Sequence, residues 1–370
     1  MITRLALQNF VAFREVELTL SRLTLLSGTN SAGKSSLLHA LSMLRQSHSA
    51  DVLDSSWLLN GDLIELGTGK DVLHSSPNAM AGLEDFAIGI EVDDIETTLR
   101  SVARYAPEND VLSVIDSNLG MPEAASFLRS QFQYLKADRI TPSVTYPKSH
   151  EAVSVRRSLG SRGEHTANFL RVHSDDAIAN LVCQHPNALS LGYIDQTNAW
   201  LNELSLGTGL TVRDVPGTDF VSLGFDRQGP DVRTDVQRAT NVGFGLTYVL
   251  PVIVGCLAAE ADSTLMIENP EAHLHPAGQA MIGQLAAIAS TGGAQVIVET
   301  HSDHVLNAIR LLVKEGSLAP NDVKVYFFSR VDGVLNPVVT SLALNSDGTI
   351  PSWPSGFFDQ WDRALDQLLD

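Results

Sequence analysis

The stretch that decides the fold lies near the N-terminus and reads Gly28-Thr29-Asn30-Ser31-Ala32-Gly33-Lys34-Ser35. It matches the pattern G-x-x-x-x-G-K-[ST], follows the apolar run 23–26 and opens a helical run at 36–44. Glycines in such a loop let backbone N–H groups surround a phosphate at the N-terminus of a helix. Lys34 can then reach the outer phosphates, and the Ser35 hydroxyl can bind Mg²⁺. The sequence therefore predicts a nucleotide-binding loop whose contacts come from Gly28, Asn30, Ser31, Ala32, Gly33, Lys34, Ser35 and Ser36.

Short strands are expected on both sides of this loop. Leu5 and Leu7 begin one alternating run, residues 16–20 form a second, and residues 86–92 form another. Such alternation is typical of an antiparallel sheet that is covered on one face. We expect this sheet next to the strand that feeds the loop.

A second regular region covers residues 264–329. Strand and helix patterns alternate there, which predicts a parallel sheet covered by helices. The preceding apolar stretch, 243–259, is short for a membrane span, contains Pro251 and ends at Glu260, so it predicts a buried helix. The expected elements are strands at 264–267, 295–299 and 323–329 and helices at 276–290 and 303–315.

These patterns divide the chain into four segments. Residues 1–95 and 239–330 form the two parts of the nucleotide-binding domain, and residues 96–238 form a mainly helical insertion between them. The insertion shows no repeat and no heptads, so no long coiled-coil arm is expected. Residues 331–370 form a C-terminal cap that ends in an amphipathic run at 361–369.

Composition excludes several classes of protein. The 370 residues contain 25 Lys and Arg against 43 Asp and Glu, and the net charge of −18 argues against chain-wide binding to nucleic acid or anionic lipid. A hydrophobic fraction of 44% supplies a sizeable core and excludes disorder. Cys183 and Cys256 have no metal-site spacing and indicate buried thiols in a reducing compartment. The first ten residues lack the layout of a signal peptide, so a cytoplasmic location is expected.

Acidic residues follow the strand expected at 264–267. They belong to the sequence Glu268-Asn269-Pro270-Glu271. Phosphate-loop enzymes hold Mg²⁺ with a carboxylate at a strand end, which makes Glu268 the candidate metal ligand beside Ser35. The alternative is a solvated loop after a strand.

Together these motifs resemble the ABC-type ATPase heads of the SMC, RecF and OLD (overcoming lysogenization defect) group, and especially its compact bacterial ATPases. The likeness covers residues 1–92, 241–330 and 353–358. It implies an α/β phosphate-loop NTPase head with a mixed or parallel sheet, an N-terminal antiparallel sheet and the insertion described above. It also implies that ATP and Mg²⁺ are cofactors, that ATP is hydrolysed, and that two heads dimerise around ATP.

The resemblance assigns the dimer contacts as well. Residues 241–247 look like the compact form of the signature that caps the partner's nucleotide, with Gly243 and Gly245 approaching the γ-phosphate. Related heads often carry Ser-Gln where this chain has Thr247-Tyr248. The alternative is a glycine-lined helix start that serves packing only.

Two histidine-containing segments complete the likeness. Residues 272–276 look like the dimer-crossing loop, and this explains His273 and His275 without a zinc site, for which no third ligand has useful spacing. His301 follows the strand expected at 295–299 and matches the switch histidine, which would sense the γ-phosphate or hold the attacking water.

Catalysis departs from the usual ABC pattern. Asn269 stands where ordinary ABC ATPases carry the glutamate that activates water, and an amide cannot accept a proton. Either Glu271 supplies the carboxylate, or hydrolysis is slow and the protein acts mainly as an ATP-dependent clamp. Gln46 and the loop 66–71 are both candidates for the magnesium-linked glutamine loop.

A basic window lies inside the expected insertion. Residues 136–171 contain seven basic residues against three acidic ones, and Arg156, Arg157 and Arg162 are the candidate DNA contacts. No base-reading motif accompanies them. A solvated basic face and a site for an acidic partner are the alternatives, and Arg139 is alternatively part of the ATPase fold.

Three functions remain open. The first is an ATPase that forms homodimers through ATP and gates a separate protein effector, with bacterial defence against phage as the expected setting. The second is an ATP-dependent scaffold with little turnover, and the third is a RecF-like DNA-repair clamp. About forty residues follow the last expected core strand, too few for the Toprim domain of OLD nucleases, so we expect any nuclease on a separate chain and no membrane contact.

Overall fold

The computed structural model describes residues 1–80, 86–95, 97–118, 126–227, 234–359, 365 and 367–369. Within these residues the strands are β1 (Ile2–Phe10), β2 (Phe13–Thr19), β3 (Leu23–Gly28), β4 (Ser56–Leu58), β5 (Ala87–Asp94), β6 (Thr98–Arg104), β7 (Val111–Ser117), β8 (Phe132–Leu135), β9 (Tyr146–Pro147), β10 (Thr208–Asp214), β11 (Phe220–Arg227), β12 (Gln237–Arg238), β13 (Thr264–Glu268), β14 (Gln295–Glu299), β15 (Val323–Ser329) and β16 (Val338–Leu342). The α-helices are α1 (Lys34–Ser49), α2 (Gly69–Val72), α3 (Ser126–Arg129), α4 (Thr166–Val172), α5 (Tyr193–Leu204), α6 (Phe244–Ala258), α7 (Pro276–Thr291) and α8 (Asp303–Lys314).

The central sheet carries the phosphate loop. Its strand order is β16-β15-β3-β14-β13-β8, and all neighbours are parallel except the edge pair β15 and β16. Every residue of β13 and β14 is buried, as expected for parallel strands covered on both faces. The strands and helices expected between residues 264 and 329 are confirmed, with ends shifted by at most one residue.

Local sequence explains where the covering helices begin. Ser302 precedes α8 and its side chain accepts hydrogen bonds from the backbone N–H groups of His304 and Val305, at 3.1 and 3.2 Å. Pro276 occupies the first turn of α7, where its missing N–H removes no helix bond. These two caps fix the loops that follow β13 and β14.

The antiparallel sheet expected near the N-terminus is confirmed. Its strand order is β2-β1-β5-β6-β7-β4, and β1 pairs with β2 through Leu5 and Leu18. Its apolar residues share one hydrophobic cluster with α1, including Phe13, Leu41 and Trp57. Helix α1 is therefore held between the antiparallel sheet and the central sheet.

The segment 96–238 is not mainly helical. Strands β6 and β7 extend the antiparallel sheet, β8 is an edge strand of the central sheet, and β9 to β12 form a third sheet. The expected boundary at residue 95 separates β5 from β6, which pair along their length. Short hairpin strands with partly polar faces, such as Thr208–Asp214, give weak periodicity, and pairing with a neighbour decides their structure.

The apolar stretch before β13 forms α6, a buried helix as predicted. In the described part of the chain, no helix combines the length and apolar character needed to cross a bilayer. Cys183 and Cys256 are both buried, as expected. In the cap, Phe357 is buried and its ring lies 5.2 Å from that of Phe327, whereas most of the run 361–369 lies outside the described residues.

Candidate active site

Two glycines of the phosphate loop are required by close approach. Gly28 has φ +146°, and a Cβ there would lie 2.0 Å from the carbonyl oxygen of Phe328 on β15. Gly33 has φ +89°, and a Cβ there would lie 2.7 Å from the ring of Phe13. Only glycine therefore fits at these two positions, where the loop packs closely against Phe328 and Phe13. The loop leads directly into the N-terminus of the 16-residue helix α1, where backbone N–H groups can bind an anion.

Lys34 is held inside the loop. Its side chain is only 3% exposed, and Nζ donates hydrogen bonds to the carbonyl oxygens of Gly28 at 3.2 Å and Thr29 at 2.9 Å. Nζ also lies 3.8 Å from Glu299 Oε1. Burial lowers the pKa of Lys34, and the charge of Glu299 opposes that shift.

Glu299 is the acidic residue that the sequence interpretation missed. It ends β14, the direct neighbour of β3, and its Oε2 accepts a hydrogen bond from Ser35 Oγ at 2.9 Å. Burial, together with the negative charge of Glu268, raises the pKa of Glu299 to about 7, although Lys34 and Ser35 oppose the shift. An acid at the end of a predicted strand, two residues before His301, was the signal that could have identified it.

Glu268, the expected metal ligand, makes different contacts. It ends β13, one strand further from the loop, and its carboxylate accepts hydrogen bonds from Tyr134 Oη at 2.5 Å and from the backbone N of Ala137 at 2.9 Å. His39 Nε2 on α1 lies 4.0 Å away. The carboxylate that contacts Ser35 is therefore that of Glu299, because β14 lies between β3 and β13.

Arg139 supports the acidic segment from behind. It is 1% exposed and donates from Nη1 to the carbonyl oxygen of Glu268 and from Nη2 to that of Asn269, each at 2.7 Å. Nε donates to the carbonyl oxygen of Tyr248, and the guanidinium lies 4.4 Å from the Tyr248 ring centroid. Arg139 thus belongs to the ATPase fold and not to a free basic surface.

The structure places the carboxylate of Glu271 against the backbone of His301. Glu271 Oε1 accepts a hydrogen bond from the backbone N of His301 at 2.8 Å, while its buried Oε2 has no partner among the described residues. Burial and the charge of Lys34 lower the pKa of His301. Asn269 has φ +44° and its N–H donates to the carbonyl oxygen of Glu299 at 2.8 Å, which ties the loop after β13 to β14.

The cavity above the phosphate loop has a volume of 580 Å³, within the range of small-molecule sites. Beyond the loop itself it is lined by residues absent from the sequence interpretation, and one of them, Arg330, donates from Nε to the carbonyl oxygen of Ser31 at 2.8 Å. These additional lining residues are Val11, Ala12, His39, Glu299 and Arg330. His301, which the sequence did predict, completes the wall.

The expected signature lies elsewhere in the same chain. Gly243 and Gly245 line a different cavity of 610 Å³, whose described lining shares no residue with that of the phosphate loop. A Cβ on Gly245 would lie 2.7 Å from the carbonyl oxygen of His273, so this glycine is needed for packing against the expected dimer-crossing loop. A Cβ on Gly243 would meet nothing within 4 Å.

Neither candidate for the glutamine loop lines the cavity above the phosphate loop in the described structure. Gln46 lies two turns beyond His39 on α1, and its amide bonds to the backbone of Leu58 and Ile64. In the loop 66–71, Asp71 bonds to Thr68 as a helix cap. In this structure both segments make hydrogen bonds to nearby backbone groups.

The described residues, His273 and His275 among them, contain no group of three or more His, Cys, Asp or Glu side chains able to hold a metal ion. This result does not conflict with magnesium, which typically uses one or two carboxylates together with the phosphates of a nucleotide.

The basic window is largely neutralised. Arg156 pairs with Glu151 at 2.7 Å and with Asp62 at 3.6 Å. Arg157 pairs with Glu260 at 3.4 Å, and Arg162 pairs with Asp138 at 3.3 Å.

Family models match three parts of the chain. Residues 1–136 match a model described as "AAA ATPase domain", and residues 218–307 match one described as "AAA domain, putative AbiEii toxin, Type IV TA system". Residues 318–368 match a "Protein of unknown function (DUF3696)".

Known proteins give a consistent result. An OLD nuclease of Thermus scotoductus is 23% identical over 348 residues, which are 85% of this chain but only 62% of that protein. The chain thus spans less than two thirds of the length of this relative. An SMC head bound to the C-winged helix domain of ScpA has a TM-score of 0.50 and 15% identity over 93% of this chain and 98% of its own. An SMC head with an extended coiled coil, bound to the C-terminal domain of ScpA derived from Pyrococcus furiosus, has a TM-score of 0.51 and 16% identity over 100% and 99%.

These structures confirm the predicted fold class, an ABC-ATPase head with an N-terminal antiparallel sheet. Together with the AAA domain models and the OLD nuclease, they also confirm the resemblance to ATPase heads of the SMC, RecF and OLD group.

Proposed function

We propose that this chain, which has the fold of an SMC-type ATPase head, binds Mg-ATP at the phosphate loop and hydrolyses it slowly between two copies of the head. The observation that carries the proposal is the cluster of Lys34, Ser35 and Glu299 at the N-terminus of α1, inside a cavity of nucleotide size. The helix N-terminus and Lys34 attract phosphate, and Ser35 with Glu299 offers oxygen ligands to a hard cation.

The donor set fits magnesium. The negative charges of Glu268 and Glu271 both raise the pKa of Glu299, so three carboxylates share a region that a divalent cation would neutralise. Ser35 and Glu299 would hold the ion directly, and Glu268 is the next carboxylate. When bound, Mg²⁺ offsets the negative charge of the phosphates.

Glu271 is the base in this proposal. Its Oε2, which has no partner among the described residues, would accept the proton. Its Oε1 accepts a hydrogen bond from the backbone N of His301, and the His301 side chain would sense the γ-phosphate. Asn269 cannot take the proton. Turnover therefore depends on a carboxylate two residues beyond the usual position, which is the reason to expect a slow rate.

The second copy of the chain completes the site. Gly243 and Gly245 line a cavity that shares no described lining residue with that of the phosphate loop, which supports capping of the nucleotide by a second copy. We propose that a partner head supplies these residues to the γ-phosphate and that ATP thereby holds the dimer. The likeness to an OLD nuclease and to the AbiEii-type model supports a role in gating a separate effector, with defence against phage as the setting.

The test is the steady-state Mg-ATPase rate of the wild type, with Lys34→Ala as the blank, in the presence and absence of duplex DNA. We expect slow turnover that requires Lys34 and Mg²⁺ and is unchanged by DNA. A rate equal to that of Lys34→Ala would contradict hydrolysis.

A scaffold with little turnover is the second candidate, and Asn269 favours it. Counting nucleotide bound per chain against phosphate released separates the two functions. Retained ATP with no phosphate release identifies the scaffold, whereas repeated release identifies the ATPase. Stimulation by DNA that is lost in Arg156→Gln would instead favour a repair clamp.

A further inference from the structure

A cavity of 570 Å³ lies at the opposite end of α1 from the phosphate loop. Cations outnumber anions in its lining, although the whole chain has a net charge of −18. We call it the arginine cavity, because its charged lining residues are Arg45, Arg129, Arg156 and Arg157 with Asp62 and Glu260.

Two of these arginines have no carboxylate partner among the described residues. Arg45 donates from Nη1 to the carbonyl oxygens of Phe127, at 2.9 Å, and Leu128, and Arg129 is exposed. Burial, followed by the charge of Arg156, lowers the pKa of Arg45 to about 10. The like charges therefore act on each other across the cavity, which a bound anion would relieve.

Two buried polar atoms of the same lining lack hydrogen bonds to any described residue. They are Ser130 Oγ and Arg157 Nε, the latter 3.4 Å from Glu260 Oε1 in an ion pair without hydrogen-bond geometry. Buried donors without a partner are rare in folded proteins and indicate a missing ligand or water.

We propose that the arginine cavity binds a small phosphate-bearing molecule. Guanidinium groups bind phosphate oxygens through paired hydrogen bonds, and the cavity volume is that of a small-ligand site. Ser130 and Arg157, whose buried atoms lack partners among the described residues, both belong to the lining of this cavity. Contact with an organic portion of the ligand is available from Leu58, Leu63, Phe132 and Val155.

The experiment titrates inorganic pyrophosphate into the protein by calorimetry, with the phosphate loop saturated by ATPγS in excess Mg²⁺. One equivalent should bind per chain with a Kd below about 1 mM. The double variant Arg129→Gln, Arg156→Gln should weaken binding at least about tenfold, because two charge-assisted contacts are lost. Both side chains are substantially exposed, so the fold should survive, and circular dichroism checks this. Arg213→Gln removes an exposed arginine outside the cavity and should change nothing.

Further measurements separate binding at the arginine cavity from binding at the phosphate loop and identify the kind of phosphate ligand. Lys34→Ala should lose ATPγS binding yet keep pyrophosphate binding, so a failure at the phosphate loop is not a failure here. Uridine monophosphate identifies the source of phosphate: tighter binding than pyrophosphate supports an organic phosphate, and weaker binding supports the free anion. Absence of saturable binding at millimolar pyrophosphate, equal affinity in the double variant, or displacement of pyrophosphate by short duplex DNA would overturn the proposal.

Discussion

Glu299 differs from the other acids near the phosphate loop because it alone, among the described residues, receives the Ser35 hydroxyl. We predict that Glu299→Gln lowers the Mg-ATPase rate roughly a hundredfold while ATP binding persists, since one ligand of the proposed metal is weakened. The measurement is the dependence of turnover on Mg²⁺ concentration. Glu315→Gln changes an exposed glutamate and serves as the control. If Glu268→Gln shifts the Mg²⁺ dependence and Glu299→Gln does not, the assignment is wrong.

The buried hydrogen bonds of Arg139 should contribute to the stability of the fold. Arg139→Met keeps the apolar volume but leaves the carbonyl oxygens of Glu268 and Asn269 without their donors, so the free energy of unfolding should fall by about 3 kcal/mol. Urea unfolding measures this. Arg162→Met, at an exposed position, should stay within about 0.5 kcal/mol of wild type. Equal losses in the two variants would show that these backbone contacts contribute little.

At the scale of elements, two glycines at the start of α6 allow the packing of this helix to be tested separately from its proposed contact with the partner's nucleotide. Gly243 has open space around it, and serine is a good residue before a helix, so Gly243→Ser should leave the free energy of unfolding within about 0.5 kcal/mol of wild type. The same variant should reduce ATP-dependent dimerisation and turnover, as measured by light scattering and phosphate release, because the added side chain obstructs the partner's nucleotide. Gly245→Ser should instead destabilise the monomer, since its Cβ would meet His273. Normal dimerisation of Gly243→Ser would exclude the proposed capping.

The elements also show what sequence reasoning could reach. The phosphate loop and the strands β13 to β15 were predictable because buried parallel strands and glycine turns have strong local signals. Strands β6, β7 and β10 were not, since their partly polar faces give weak alternation, and pairing with the next strand of a hairpin stabilises them instead. The sequence could mark Glu299 as an acid at a strand end, but its contact with Ser35 follows only from the strand order, which places β14 beside β3.

At the scale of the whole molecule, one hydrophobic cluster joins the segment 96–238 to the central sheet. It contains Cys183, which precedes α5, and Cys256, on α6. Burial raises the pKa of Cys183 to about 12 and that of Cys256 well above its ordinary range, so neither thiolate forms at pH 8 in the folded chain.

We therefore predict that both thiols resist Ellman's reagent in the native protein and become reactive together on unfolding, because one cluster opens as a unit. Mg-ATP should slow both reactions equally. Single Cys183→Ala and Cys256→Ala variants assign the two rates. A rate for Cys183 that is at least about tenfold faster would show that its segment opens independently.

The position of β3 has a consequence for biosynthesis. Leu25 on β3 pairs with Val298 on β14 and with Val325 on β15. Strand β3 is therefore synthesised early, but both of its neighbours in the sheet are synthesised late. Pairing over such separations is slow, and until Glu299 emerges the phosphate loop lacks its carboxylate. If ATP binds as proposed, a nascent or truncated chain that ends before β14 should lack the stabilisation that this binding would give the finished protein. Cellular ATP would in this way distinguish finished copies from incomplete ones and leave the latter to proteases.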